Sequence, residues 1–216
     1  MPEFVHVIAV DSNQNAVLES VKTIGYPIHR AYIVYRKKEA SKIAENLEDI
    51  LKSLVETKIL NFEDKNVFEI TWGLLRLMRE EMRKGNEVLL NMSDADKNLA
   101  VAFLLSAQVS RARVYMMLDS KAEFVQTPPA KTYNQERIRI LKILSEEGGV
   151  VESINRLIEL LEGRTEDQKK YMAQRAKITY HLNELAEDNL VVTQRKGKNL
   201  KVMLTELGKA YVIMFG

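Results

Sequence analysis

The sequence predicts a mixed α/β chain in two parts, a Rossmann-like parallel-sheet domain followed by a smaller domain of three helices and a β-hairpin. Three observations carry this. Short apolar runs alternate with amphipathic helical patterns through residues 1–125, the adjacent Pro128 and Pro129 interrupt that alternation, and from residue 134 the order becomes three helices and two short strands.

The first strand is Val5 to Val10, β-branched and closed by the capping residues Asp11, Ser12 and Asn13. Ala16, Val17, Ser20, Val21 and Ile24 then recur at helical spacing up to Gly25. A second strand, Ala31 to Tyr35, precedes a helix over Ser41 to Val55 with Ile43, Leu47, Ile50, Leu51 and Leu54 on one stripe. Lys58 to Phe62 is the third strand, Val67 to Arg83 an amphipathic helix, and Glu87 to Met92 a nearly continuous apolar strand. Lys97 to Ser110 is helical and Ala112 to Leu118 is again strand. Apolar strands alternating with helices of this length specify a parallel sheet covered on both faces, because right-handed crossovers put helices over each side. Prolines donate to neither helix nor ladder, so 126–133 reads as a linker between a domain at 1–125 and a second at 134–216. There the helices run Gln135 to Glu146, Glu152 to Leu161 and Gln168 to Asp188. Strands Val191 to Arg195 and Leu200 to Thr205 follow, joined by Lys196, Gly197, Lys198 and Asn199.

Composition excludes several classes. In 216 residues, 46% hydrophobic and 29% charged content fits a folded globular chain rather than a disordered or fibrous one. With no cysteine there are no disulfides, thiolate metal sites or cysteine nucleophiles, and a reducing compartment is the natural one. The opening residues carry no basic region or cleavage site, and no apolar run approaches the roughly 18 residues of a membrane span. A cytoplasmic protein without membrane contact is therefore expected. A formal net charge of +2 implies no partner by itself.

Charge is unevenly placed, however. Residues 1–132 hold 18 basic and 18 acidic residues, whereas residues 168–201 hold eight basic against three acidic. Three helices followed by a two-stranded ribbon is the winged helix-turn-helix arrangement. The stretch Ala176 to Leu185, then Leu190 and Val191, and then Leu204 to Lys209 resembles winged-helix transcription regulators over residues 133–216. That resemblance implies a third helix in the major groove of double-stranded DNA and a wing on its backbone. The expected DNA contacts are Lys169, Lys170, Gln174, Arg175, Lys177, Thr179 and His181 on the helix, and Arg195, Lys196, Lys198, Asn199 and Lys201 on the wing. Lysines anchor phosphate, while Gln, Asn and Arg can read base edges. Lys169, Lys170, Gln174, Lys177, Thr179 and His181 are expected on the exposed face, with Ile178, Leu182 and Leu185 in the core. A merely solvated charged face is the competing reading.

In open parallel sheets, ligands bind beyond the carboxyl ends of the strands at the topological switch point. Two loops fit that place, one with Asp11, Ser12 and Asn13, the other with Asn91, Ser93, Asp94, Asp96 and Lys97. Both lead into helix amino termini, whose free N–H groups favour anions. Capping accounts for Ser12, Asn13, Ser93 and Asp96 as well as ligand binding does, and Lys97 can balance Asp94 and Asp96. Trp72, Met78, Met82, Met116 and Met117 fall on apolar stripes and belong to the core.

The second loop resembles the CRISPR-associated Rossmann fold, CARF, in which the strand is followed by Asn-Leu-Thr-Gly-Gly-Thr-Lys and an alanine-rich helix. Asn91, Ser93 and Lys97 match, and Leu99 to Ala102 continue the helix. A CARF domain fused to a winged helix is the architecture of CRISPR-linked, archaeal-type regulators. The resemblance implies a homodimer that binds a cyclic oligoadenylate or related nucleotide at its axis. Asp94-Ala95-Asp96 replaces Gly-Gly-Thr, so two carboxylates are expected to face, and repel, the ligand phosphates. A non-enzymatic regulator is expected, since the chain lacks GxGxxG and a P-loop, and His6, His29 and His181 have no nucleophile motif beside them. The alternatives are a phosphodiesterase, either Mg²⁺-dependent through Asp11, Asp94 and Asp96 or of ring-nuclease type, and a dimerisation module without ligand.

Overall fold

The computed structural model describes residues 2–125, 131–197 and 199–216, and the chain divides into two compact units, Met1–Ala130 and Lys131–Gly216. Pro128 and Pro129, on which the linker expectation rests, lie outside the described residues, as does Lys198.

In the first unit the strands are β1 (Phe4–Ala9), β2 (Arg30–Tyr35), β3 (Glu56–Asn61), β4 (Glu87–Asn91), β5 (Arg113–Leu118) and β6 (Lys121–Val125). They form one sheet in the order β3-β2-β1-β4-β5-β6, parallel except for β6. The helices are α1 (Gln14–Thr23), α2 (Ser41–Leu51), α3 (Val67–Arg83) and α4 (Lys97–Ser110). Alternation along β1 explains the two layers. Val5, Val7 and Ala9 pack with Ile70, Leu74 and Met78 of α3 and with Leu99 and Phe103 of α4. Ile8 packs on the other face with Val17 of α1 and Ala44 and Leu47 of α2. The chain leaves β1 through β2 and β3 and then returns to β1's other side as β4, so the strand order reverses between β1 and β4.

Two expectations here are corrected. The sheet is not purely parallel: Asp119, at φ 53°, turns the chain straight back after Leu118, and β6 pairs antiparallel with β5. The second helix ends at Leu51 rather than running to Val55, because the Leu54 and Val55 amides both return to the Leu51 carbonyl; Leu54 is consequently 78% exposed.

Two buried polar clusters tie the sheet to its surroundings. The Glu81 carboxylate of α3, 1% exposed, accepts from Tyr32 Oη (2.9 Å), Arg30 (2.8 Å), Lys84 (2.9 Å) and Asn86 (2.7 Å). Burial alone would raise its pKa, but the hydrogen bonds from Lys84, Asn86 and Tyr32 and the Arg30 charge outweigh that and hold it down to about 2. His6 of β1 is fully buried between Tyr115 Oη (2.8 Å) and the Pro27 carbonyl (3.1 Å). Burial pushes it down to about 4, opposed by the Pro27 hydrogen bond and aided by His29.

The second unit contains α5 (Gln135–Glu146), β7 (Val150–Val151), α6 (Ile154–Glu162), α7 (Gln168–Glu187), β8 (Val191–Lys196), β9 (Asn199–Leu204) and α8 (Glu206–Phe215). Its sheet runs β7-β9-β8, antiparallel throughout. Leu141 and Leu144 of α5, Leu157 of α6, Leu182 and Leu185 of α7 and Val202 of β9 are buried at its centre. The expected three helices and hairpin are joined by the short strand β7 and by α8, capped by Thr205, whose hydroxyl accepts from the Gly208 amide at 3.0 Å. Gly208 lets α8 approach the chain just before β8: a Cβ there would lie 2.1 Å from the Leu190 carbonyl oxygen. Gly208→Ala should therefore destabilise this unit by roughly 1–3 kcal/mol, read from its circular-dichroism melt.

Both depressed pKa values make the first unit acid-sensitive, in separate windows. The His6 contribution is intact above pH 6.5 and lost as pH falls toward 4; the Glu81 contribution is intact above pH 4.5 and lost toward 2. Trp72, the only tryptophan, lies on α3 and reports this unit's unfolding in urea. His6→Gln should flatten stability between pH 6.5 and 4 and Glu81→Gln between pH 4.5 and 2, each window representing about 3 kcal/mol.

Candidate functional site

The switch-point crevice lies where the loop from β1 to α1 meets the loop from β4 to α4. Three successive backbone amides, those of Asp11, Ser12 and Asn13, point at one oxygen. That oxygen is Asp94 Oδ2, at 2.8, 2.9 and 2.8 Å respectively. A row of N–H groups at a helix start is an anion site, and here the chain's own carboxylate fills it. An intramolecular anion has the advantage over a dissolved one, since it loses no translational freedom on arriving.

The neighbouring side chains are held in the same internal way. Asn13 caps α1 by accepting from the Ala16 amide at 3.1 Å, and Asp96 caps α4 by accepting from Leu99 at 2.8 Å. Asn91 is buried, donating to Ser20 Oγ at 2.8 Å and accepting from the amide (2.9 Å) and hydroxyl (2.6 Å) of Ser93. The Ser93 hydroxyl accepts from the Met117 amide of β5 at 3.0 Å. The loop after β4 is thus stitched to β5 on one side and, through Asp94, to the loop after β1 on the other.

Asp94 and Asp96 therefore do not present free carboxylates to an incoming phosphate. Asp94, 9% exposed, has turned onto the amides. The outer oxygen of Asp96 lies 3.5 Å from Arg36 and 3.9 Å from Lys37, and Lys37 also pairs with Asp11 at 2.8 Å. Amide donors and cations surround all three aspartates, which is the environment of an anion rather than of a metal ligand. Among the described residues no group of three or more His, Asp or Glu converges as a metal site. Lys97 is exposed and makes no ion pair with either aspartate among the described residues. The Ser12 side chain is likewise exposed.

Arg36 and Lys37 were not among the expected site residues. They follow β2, whose carboxyl end adjoins that of β1, so strand order makes them part of the crevice rim. The Asn98 amide, with its oxygen turned to Arg36, accepts from Nε and Nη2 at 3.2 and 2.9 Å. Their sequence signal was the basic run Arg36-Lys37-Lys38 at a strand end.

In the second unit α7 is capped by Asp167, which accepts from the Lys169 and Lys170 amides at 2.8 and 3.1 Å. Lys169, Lys170 and Arg195 are exposed and have no ion-pair partner among the described residues. Other expected DNA contacts are engaged within the unit. Lys177 pairs with Glu136 of α5, Lys201 with Glu152 at 2.7 Å, and Arg175 donates to Asn155 at 3.2 Å. That hydrogen bond lowers the Glu136 pKa and raises that of Lys177.

The expected exposed face is corrected in its rotation. His181 is 7% exposed and holds Glu136 at 2.9 Å, and Gln174 and Thr179 are half-buried. Lys170, Gln174, Lys177 and His181 share one stripe, and the Glu136 carboxylate draws its lower end against α5. The outward stripe runs instead through Lys169, Met172, Ala176, Tyr180 and Asn183, with Met172 and Tyr180 each 57% exposed. Ile178, Leu182 and Leu185 mark the opposite side of the helix, so rotation from them could have found it. Asn199 is exposed on the hairpin; Lys198 and the Lys196 side chain lie outside the described residues.

Comparison with known proteins bears on both units. The family described as "HFX_2341_N-like, N-terminal" matches residues 4–123, and the DUF6293 C-terminal winged helix domain matches residues 136–216. A protein of Archaeoglobus fulgidus is 49% identical over all 216 residues, covering 100% of each chain. Three solved structures are similar at low identity. The protein VC1899 from Vibrio cholerae has a TM-score of 0.47 at 10% identity, over 98% of this chain and 65% of its own. Can2 from Sulfobacillus thermosulfidooxidans, in complex with cyclic tetra-adenylate, has 0.39 at 10%, over 97% and 61%. Enterococcus italicus Csm6, bound to cyclic hexa-2'-fluoro-hexa-dAMP, has 0.41 at 13%, over 88% and 55%. The chain thus spans less than two thirds of the length of each of these three. No helix among the described residues is long and apolar enough to cross a membrane.

Removing the Asp94 carboxylate unpairs three amides at once. Asp94→Ala should lower the stability of the first unit by about 2–3 kcal/mol in urea, followed by Trp72 fluorescence, and Asp94→Asn, which keeps an acceptor, by about half as much.

Proposed function

The chain belongs to the HFX_2341_N-like family, and on that premise we propose that it is a homodimeric, cytoplasmic transcription regulator whose winged-helix unit binds double-stranded DNA. In this reading residues 1–125 sense and dimerise, 126–133 link, and 134–216 read DNA. The observation that carries it is the first turn of α7, where Lys169 heads the outward stripe ending in Tyr180 and Asn183 and Lys170 stands beside it, both exposed and without carboxylate partners among the described residues. Cations there neutralise phosphate, and Asn183 has the amide that adenine edges accept. Arg195 on the hairpin extends the same field toward the backbone beside the groove.

The ligand class implied by the resemblance of Asn91, Ser93 and Lys97 to CARF domains is a cyclic oligoadenylate. With the amides held by Asp94, its phosphates meet the rim: Ser12, Lys97, Arg36 and Lys37. A ligand alters DNA affinity only through unequal affinity for two arrangements of the dimer. Light scattering at micromolar concentration should give a dimer.

Fluorescence anisotropy with a duplex from the protein's own upstream region tests the DNA reading. About six neutralised phosphates give a log–log salt slope near −5. Lys169→Ala and Lys170→Ala should each make that slope shallower by roughly one for every phosphate no longer neutralised, whereas Lys177→Ala should change it less because that charge is already paired. Asn183→Ala should cost about 1–3 kcal/mol at one base position and little elsewhere. Salt-independent binding, or none, would contradict the reading.

A further inference from the structure

The first half of α7 runs ahead of the second unit's core. Gln168 to Lys177 contain no buried residue, the first being Ile178, so about 15 Å of helix precedes the packing. That segment carries four basic side chains, Lys169, Lys170, Arg175 and Lys177, and no acidic one. A helix end of this sign suits a polyanion, and the major groove of duplex DNA, about 12 Å wide, admits a helix.

The outward stripe of this segment is nevertheless apolar between its ends. After Lys169 come Met172 and Ala176, both exposed, and Ala173, exposed beside them, is apolar as well. None of the three side chains has a hydrogen-bond donor, and Met172 alone has an acceptor, a weak thioether sulfur. They cannot pair with the N7, O6 and O4 acceptors or the amino donors of base edges. Laid against those groups they would strip water from them and return no hydrogen bond. The major groove presents one apolar group, the C5-methyl of thymine, and an apolar side chain against it buries surface at no polar cost. Met172 and Ala176 are about 6 Å apart along the helix axis, against about 3.4 Å between successive base pairs, so they address neighbouring base pairs rather than one.

We infer that Met172 and Ala176 read thymine methyl groups in the major groove, so that the preferred DNA site carries thymine at neighbouring base pairs beneath the first half of α7. The inference rests on the DNA reading above and adds a base preference to it. It is separate from the contact proposed for Asn183, which lies about 10 Å further along the helix than Ala176.

Exchange of thymine for deoxyuridine tests it, because uracil keeps the hydrogen-bonding groups of thymine and lacks only the methyl. The full native chain selects its preferred duplex from a randomised pool, and that duplex is synthesised once with thymine and once with deoxyuridine throughout. In fluorescence anisotropy the uracil duplex should bind about tenfold more weakly, at an unchanged salt slope because the phosphates are the same. Met172→Ser combined with Ala176→Ser, both at exposed positions, should keep a native circular-dichroism melt, bind the thymine duplex about tenfold more weakly and no longer distinguish the two duplexes. Equal, salt-dependent binding of both duplexes by the native chain would overturn this inference and leave the DNA reading standing. A double variant that still prefers thymine would overturn the assignment to these residues. Binding to neither duplex, or binding without salt dependence, would overturn the DNA reading and this inference with it.

Discussion

One carboxylate oxygen holds the first unit's functional end together. Asp94 Oδ2 gathers the Asp11, Ser12 and Asn13 amides at 2.8–2.9 Å, and those amides form the turn by which β1 enters α1. The loop carrying Asp94 is itself fixed by Asn91 and Ser93, which tie it to Ser20 of α1 and to β5. β1, β4, β5 and α1 thereby meet in one hydrogen-bonded knot at the point where strand order reverses. A parallel sheet leaves a crevice at that point, and this chain has closed it from within using the same donors that a phosphate would use.

That closure moves the remaining positive charge outward. Lys37 bridges Asp11 and Asp96, Arg36 reaches Asp96, and Lys97 stays exposed, so the cations form a rim around an occupied centre. The winged-helix unit follows a parallel logic. Glu136 neutralises Lys177 and anchors His181, which keeps the lower end of one α7 stripe against α5. Lys169 and Lys170, without an ion-pair partner among the described residues, stand at the helix start, where the Asp167 cap also offsets the partial positive charge of the helix terminus.

Much of this was legible in the residues. The helices Val67–Arg83 and Lys97–Ser110 were readable to the residue, because Asn66 and Asp96 cap them and the apolar stripes between are unbroken. The short β7, the edge strand β6 and α8 were not, since two to five residues give too little periodicity, and the Ala210–Phe215 run of α8 is apolar throughout, with no helical stripe to mark it. The residue types at the crevice were legible too, but their orientation was not. A carboxylate in a loop can face solvent or turn onto amides 81–83 residues away in sequence, and only the tertiary approach of β1 and β4 decides. His181 escaped for the same reason, its partner Glu136 lying 45 residues earlier on another helix.

Asp94 occupying the anion-binding amides of the switch point is the contact on which the rest depends. The most direct test is an amide proton–nitrogen NMR titration with inorganic phosphate, following Asp11, Ser12 and Asn13 in the native chain and in Asp94→Ser. The native resonances should stay fixed while those of the variant move and saturate, all other first-unit amides remaining in place. Native amides that shift with phosphate as readily as the variant's would contradict it.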